Sequence, residues 1–239
     1  MSNAFDQQNP YATAMDTFVA DSALSERLAF LRRVYLHVFA CLLGLIGLEV
    51  LYMTTPVGGM IFQTFVSHWW IALIGFIAVS FVAQRLAFSG ASQATQYIGL
   101  AMYVALESVF VAPAVFYAMV VNPDLIGQSA FLTVAITGGI TLFVVLSKKD
   151  FSFLRNFLFV GILGLLAIAI SSAIFGFQIG IAFSVAAVVL MCGYILYYTS
   201  TVMNHLPTTA HVAGALLLFS AIAELFKHLI FVLSYLNND

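Results

Sequence analysis

Charge is what this chain has least of. Only 8% of its 239 residues are Asp, Glu, Lys or Arg, whereas 63% are hydrophobic and the mean hydropathy is +1.06. A soluble domain carries about 25% charged residues. With so few, a globule of this size has no wetted surface, so lipid is the solvent expected for most of the chain. The net charge of −2 says nothing about nucleic acid, but no basic patch is large enough to bind it, so none is expected as a partner. Cysteine is scarce too: Cys41 and Cys192 both fall inside apolar runs and read as small apolar side chains, not as a disulfide framework or zinc site. Strict apolar–polar alternation is missing, which argues against a β-barrel. No Ser-His-Asp order, His-Glu-x-x-His or phosphate-binding glycine loop occurs, so neither an enzyme nor a cofactor is expected. Residues 1–29 carry Asp6, Asp16, Asp21 and Glu26 but no basic region ahead of an apolar core, so the first span is expected to stay and act as its own insertion signal.

Long apolar runs are abundant. A helix needs roughly 20 apolar residues to cross about 30 Å of hydrocarbon. Seven runs qualify: Val34–Met53, Trp69–Phe88, Tyr97–Met119, Ala130–Leu146, Phe157–Phe175, Ile179–Val202 and Val212–Tyr235. Gly176-Phe177-Gln178-Ile179-Gly180 supplies the turn between the fifth and sixth. Pro113 lies inside the third, where a kink is expected. Residues 1–25 read as a mobile cytoplasmic tail and 26–239 as the seven-helix domain, with Asp21 or Ser22 placed to cap the first helix. The fold class expected is an all-α membrane protein.

Basic residues set the orientation. With seven spans, Arg27, Arg32, Arg33, Arg85, Lys148, Lys149 and Arg155 all fall on one side and none on the other. That side is expected to be cytoplasmic, with the N-terminus inside and Asn237-Asn238-Asp239 outside. His68, Trp69 and Trp70 then suit the outer interface.

The eighth basic residue, Lys227, lies within the last span. An ionisable group at mid-helix costs about 2.5–3.5 kcal/mol on insertion scales, so each needs a reason. Arg85 and His37 sit near span ends, and Glu107 near the middle of the third span. Glu49, Glu224, Lys227 and His228 fall from the middle to the outer half of the first and last spans. Glu224, Lys227 and His228 share one helix face by their i, i+3, i+4 spacing, and Glu49 lies at a depth from which it could reach them. Two readings stay open: an internal ion pair that lets the bundle close, or a chain of polar groups that moves an ion or proton. His205 and His211 read as ordinary loop histidines, since no Cys or carboxylate supports a metal. Gly138-Gly139 suits close helix contact. Seven spans with a lysine in the last also suggest a retinal protein. The basic residues oppose that, because they place the N-terminus inside.

The chain resembles the Bax inhibitor-1 family. Ala135-Ile136-Thr137-Gly138-Gly139 followed by Lys148-Lys149-Asp150-Phe151-Ser152-Phe153-Leu154 is similar to its fourth span and following loop. Leu31-Arg32-Arg33-Val34-Tyr35-Leu36-His37 resembles the start of its first span, Ala83-Gln84-Arg85 the end of its second, and Tyr194-Ile195-Leu196-Tyr197-Tyr198-Thr199-Ser200 its sixth. The likeness covers roughly residues 25–236. It implies six helices around a central seventh and a multi-pass protein of a bacterial inner (plasma) membrane. Family members are described as pH-sensitive calcium leak channels, and one bacterial branch as restraining a membrane protease. The family's switch uses two aspartates, in the sixth and seventh spans, closed by an arginine of the second. Arg85 matches that arginine, but the aspartate positions read Tyr198 and Ala221. The resemblance therefore implies an ion leak, for calcium or protons, without the paired-aspartate switch. Glu107 and Glu224 are candidates for the acidic role. The alternative is a non-conducting modulator of a membrane protease or of membrane-protein quality control. A coupled transporter is disfavoured, since paired broken spans are not evident.

Overall fold

The computed structural model describes residues 18–147, 149–177 and 179–237. It contains seven long helices: α1 (Leu24–Thr54), α2 (Pro56–Ala87), α3 (Gln93–Val121), α4 (Asp124–Ser147), α5 (Leu154–Phe175), α6 (Ile181–Asn204) and α7 (His211–Leu236). All seven are long and apolar enough to cross a membrane. Among the described residues no β-strand forms beyond an isolated pairing of Phe18 with Pro207.

α7 is the centre of the bundle. It touches α1, α2, α3, α4 and α6, and 56% of its span is buried against 6% for α5. α5 rests on α6 alone among the helices. The expected six-around-one arrangement is thus five helices in contact with α7 and one set outside. In lipid the hydrophobic effect gives helices no reason to associate, so close steric fit and polar contacts decide which faces meet. Gly99 shows the fit: a Cβ there would stand 2.5 Å from the Ala83 carbonyl oxygen, so only glycine lets α3 lie against α2. Gly138 and Gly139 have open space around them instead, so the close contact expected there is made elsewhere.

Several boundaries differ from those expected. α2 starts at Pro56, well before Trp69, and is interrupted at His68, whose φ −141° and ψ 43° break the helical run. His68 therefore marks a break inside α2, and the extra turns before it lie along α3 through the Phe62–Phe116 and Phe65–Phe110 ring contacts. α3 runs through Pro113 as one continuous helix. Neither Asp21 nor Ser22 caps α1. The Ser22 hydroxyl donates back to the Val19 carbonyl at 2.8 Å, and Ala23 at the N-cap makes no side-chain bond. Residues 1–17 of the expected tail lie outside the described residues. Beyond them Val19–Asp21 form a 3₁₀ turn, Val19 is buried, and its N–H donates to the Leu206 carbonyl at 3.1 Å. The α5–α6 turn is as expected: Gly176 takes φ +72°, a left-handed conformation that glycine accepts without strain, and closes α5 by donating to the Ser172 carbonyl. Cys41 and Cys192 are unpaired thiols in helices.

Candidate functional site

The spacing of Glu224, Lys227 and His228 works as a helix lattice requires. Lys227 Nζ donates to Glu224 Oε1 at 2.6 Å, and His228 Nε2 lies 3.5 Å from Oε2 of the same carboxylate. Glu224 sits near the midpoint of α7 and Glu107 at the midpoint of α3, so both are about 20 Å from either helix end. Glu107 is 0% exposed, neither of its oxygens has a hydrogen-bond partner, and Glu224 and Lys227 are its charged neighbours. One turn away on α3, the Tyr103 hydroxyl faces Glu107 and Ser220 and feels Tyr198 of α6. Tyr198 is ringed by Tyr194 and Tyr197, each with its centroid 5.3 Å away. The centre of the bundle therefore holds two carboxylates, an ammonium, an imidazole and several hydroxyls from α3, α6 and α7. Ala221 is buried one turn from Glu224 on α7.

Two expected members are elsewhere. Glu49 is buried at 8% exposure, but neither oxygen has a hydrogen-bond partner and it forms no ion pair with Lys227. Lys227 takes its counter-ion from its own helix, three residues back, where no interhelical reach is needed. Arg85 is exposed, with its guanidinium 5.0 Å over the Phe81 ring. Its neighbours Ala83 and Ala87 meet α3 at Gly99, eight residues or about 12 Å from Glu107, so Arg85 does not join the central cluster.

Sequence reasoning missed a second cluster, near the end of the bundle that carries the basic residues. The Tyr97 hydroxyl of α3 lies 2.9 Å from His37 Nε2 of α1 and 3.5 Å from His211 Nε2 of α7. His211, read as a loop residue, opens α7 and is buried. No spacing in the sequence brings these together, because they lie on three helices. At the opposite, far end, Tyr117 and Ser234 are 2.9 Å apart beside a cleft of about 330 Å³ lined also by Ser184, Ile179 and Phe231. The cleft approaches the centre, since Phe231 follows Lys227 by one turn and Phe183, next to Ser184, meets the His228 ring edge-on at 5.9 Å.

Of the residues expected to set topology, Arg32, Arg33, Lys149 and Arg155 are exposed. Lys148 lies outside the described residues. Their loop is fastened by Asp150: His205 Nε2 is 2.9 Å from its Oδ2, the Ser200 hydroxyl donates to Oδ1 at 3.2 Å, and Ser200 accepts the Phe151 N–H at 2.9 Å. Partial burial pushes the Asp150 carboxyl up, but the Ser152 N–H and His205 outweigh it and hold it below the usual carboxylate range. Because the folded value is depressed, the stability it contributes is present above about pH 4 and lost as pH falls further. Asp150→Asn is expected to cost 1 kcal/mol or less, roughly, since the carboxylate is half exposed, and to speed proteolysis of the α4–α5 loop at neutral pH. Equal cleavage of both proteins at pH 7 would contradict this.

These features define a class: an all-helical, multi-pass membrane protein whose central helix carries a part-buried ionisable cluster. The family described as "Inhibitor of apoptosis-promoting Bax1" matches residues 27–239. The chain is 28% identical over 255 aligned residues to Bax inhibitor 1 of Schizosaccharomyces pombe, covering 99% of this chain and 90% of that protein. It is 30% identical over 229 residues to Protein lifeguard 4 of Mus musculus, covering 92% and 90% respectively. A membrane protein of Vibrio cholerae is 32% identical over 126 residues, about half of each chain (52% and 56%). The chain belongs to the Bax inhibitor-1 family.

Proposed function

We propose that this chain is a passive ion pathway of a bacterial inner (plasma) membrane, its N-terminus cytoplasmic, leaking protons or calcium past the central Glu107–Glu224–Lys227 cluster. The observation that carries this is Glu107. A carboxyl at mid-membrane with no hydrogen-bond partner costs stability, and a purely structural ion pair between Glu224 and Lys227 has no need of it. The far-end cleft supports the reading by bringing solvent-sized space towards the cluster. The seven-to-none distribution of basic residues supports the orientation, which makes that cleft the outer mouth.

The test is ion flux into liposomes containing the purified protein, from about pH 5 to pH 8, where the commonest biological titrations fall. Wild type is expected to exceed empty liposomes, and Glu107→Gln and Glu224→Gln to lower the flux by roughly tenfold or more, a barrier change of about 1.4 kcal/mol. A wild-type protein that moves neither ion contradicts the proposal and returns the chain to a non-conducting role, such as restraint of a membrane protease. Flux untouched by both substitutions would place the pathway elsewhere.

A further inference from the structure

Resting on the pathway just proposed, the identity of the ion follows from what already occupies the cluster. A divalent cation such as calcium takes six to eight oxygen ligands at about 2.3–2.6 Å, carboxylates first. The centre of this bundle offers two carboxylates, Glu107 and Glu224, and the Lys227 ammonium is already 2.6 Å from Glu224. The other titratable groups around them are His228 on α7, Tyr103 on α3 and Tyr198 on α6. Lys227 is the group among them that already holds a carboxylate oxygen at ion-pair distance, 2.6 Å. A metal ion entering here would have to displace the ammonium and leave it at mid-membrane, part-buried and without its counter-ion, which is the costly way to break such a pair.

We propose that the ion carried is the proton, and that Lys227 sets this specificity by holding, with its own ammonium, the Glu224 carboxylate that a metal cation would need. A proton needs no such displacement. It passes from water in the far-end cleft, beside Ser184 and Ser234, to a carboxylate oxygen of the cluster. From there it moves on through the hydroxyls of Tyr103, Ser220 and Tyr198 towards the basic end, and one proton is released to water for each one taken up. Glu107, fully buried, has the Glu224 carboxyl and the Tyr103 hydroxyl as its polar neighbours, so it can take the proton up and hand it on.

The experiment compares wild type with Lys227→Met in vesicles of phosphatidylcholine and phosphatidylglycerol, one set loaded with a pH-sensitive dye and one with a calcium-sensitive dye. Wild type is expected to collapse a pH gradient about tenfold faster than empty vesicles while admitting calcium no faster than they do. Lys227→Met is expected to admit calcium about tenfold faster than wild type, and added calcium chloride is expected to raise its melting temperature in detergent but not that of wild type. The wild-type arm stands even if the variant folds poorly. Calcium entry through wild type without proton movement overturns the assignment of the ion but keeps the pathway. A folded Lys227→Met protein that excludes calcium overturns the role of Lys227. Movement of neither ion through wild type overturns both proposals together.

Discussion

Lys227→Met is expected to lower stability by about 3 kcal/mol, the low end of the penalty for leaving one partner of a buried ion pair uncompensated, since the two side chains are 16% and 24% exposed. The loss comes chiefly from what remains. Glu224, part-buried at mid-helix in the central span, loses the ammonium at 2.6 Å and keeps His228, at 3.5 Å, as its ion-pair partner. Adding Glu224→Gln should restore most of the loss, because the neutral pair no longer contains a stranded charge. Thermal unfolding in detergent of the two single variants and the double gives the coupling directly. If the double variant is as unstable as Lys227→Met alone, the pair is not what holds α7 in place.

Glu107→Leu is expected to act in the opposite direction. An unpartnered buried carboxyl costs about 1–3 kcal/mol, so removing it should raise stability by a similar amount. The same substitution should bring ion flux down to the level of empty liposomes. Gained stability with lost activity is the pattern of a group kept for its chemistry. A loss of stability like that of Lys227→Met, with flux intact, would instead make Glu107 a structural partner of Lys227.

The two substitutions rest on parts of the molecule that differ in how far the sequence reveals them. Within one helix, geometry is fixed by the 3.6-residue repeat, so Glu224, Lys227 and His228 are legible as neighbours before any coordinates exist. The same holds for the seven spans, since apolar length translates into a membrane crossing. Rotation of one helix against another is a different matter. In lipid, outward and inward positions are equally apolar, so little in the pattern says which face of α1 meets α7. That is why Glu49 could be expected beside Lys227 and is found apart from it, and why the meeting of His37, Tyr97 and His211 went unseen. Arg85 stands near the end of its span as expected, but its environment depends on α3 crossing at Gly99, which no motif along α2 reveals. The break at His68 carries no proline or glycine of its own, so local chemistry gave no sign of it.

The most direct measurement joins the cleft to the flux. In a chain carrying Cys41→Ala and Cys192→Ala, Ile179→Cys places a thiol on the exposed wall of the far-end cleft. Flux is then followed as a membrane-impermeant, positively charged thiol reagent is added from one side at a time. Rapid labelling from outside, with flux falling about tenfold as the label attaches, is the expected result for an outer mouth leading to the Glu107–Glu224–Lys227 cluster. Labelling from the cytoplasmic side alone, or full labelling with flux unchanged, would contradict it.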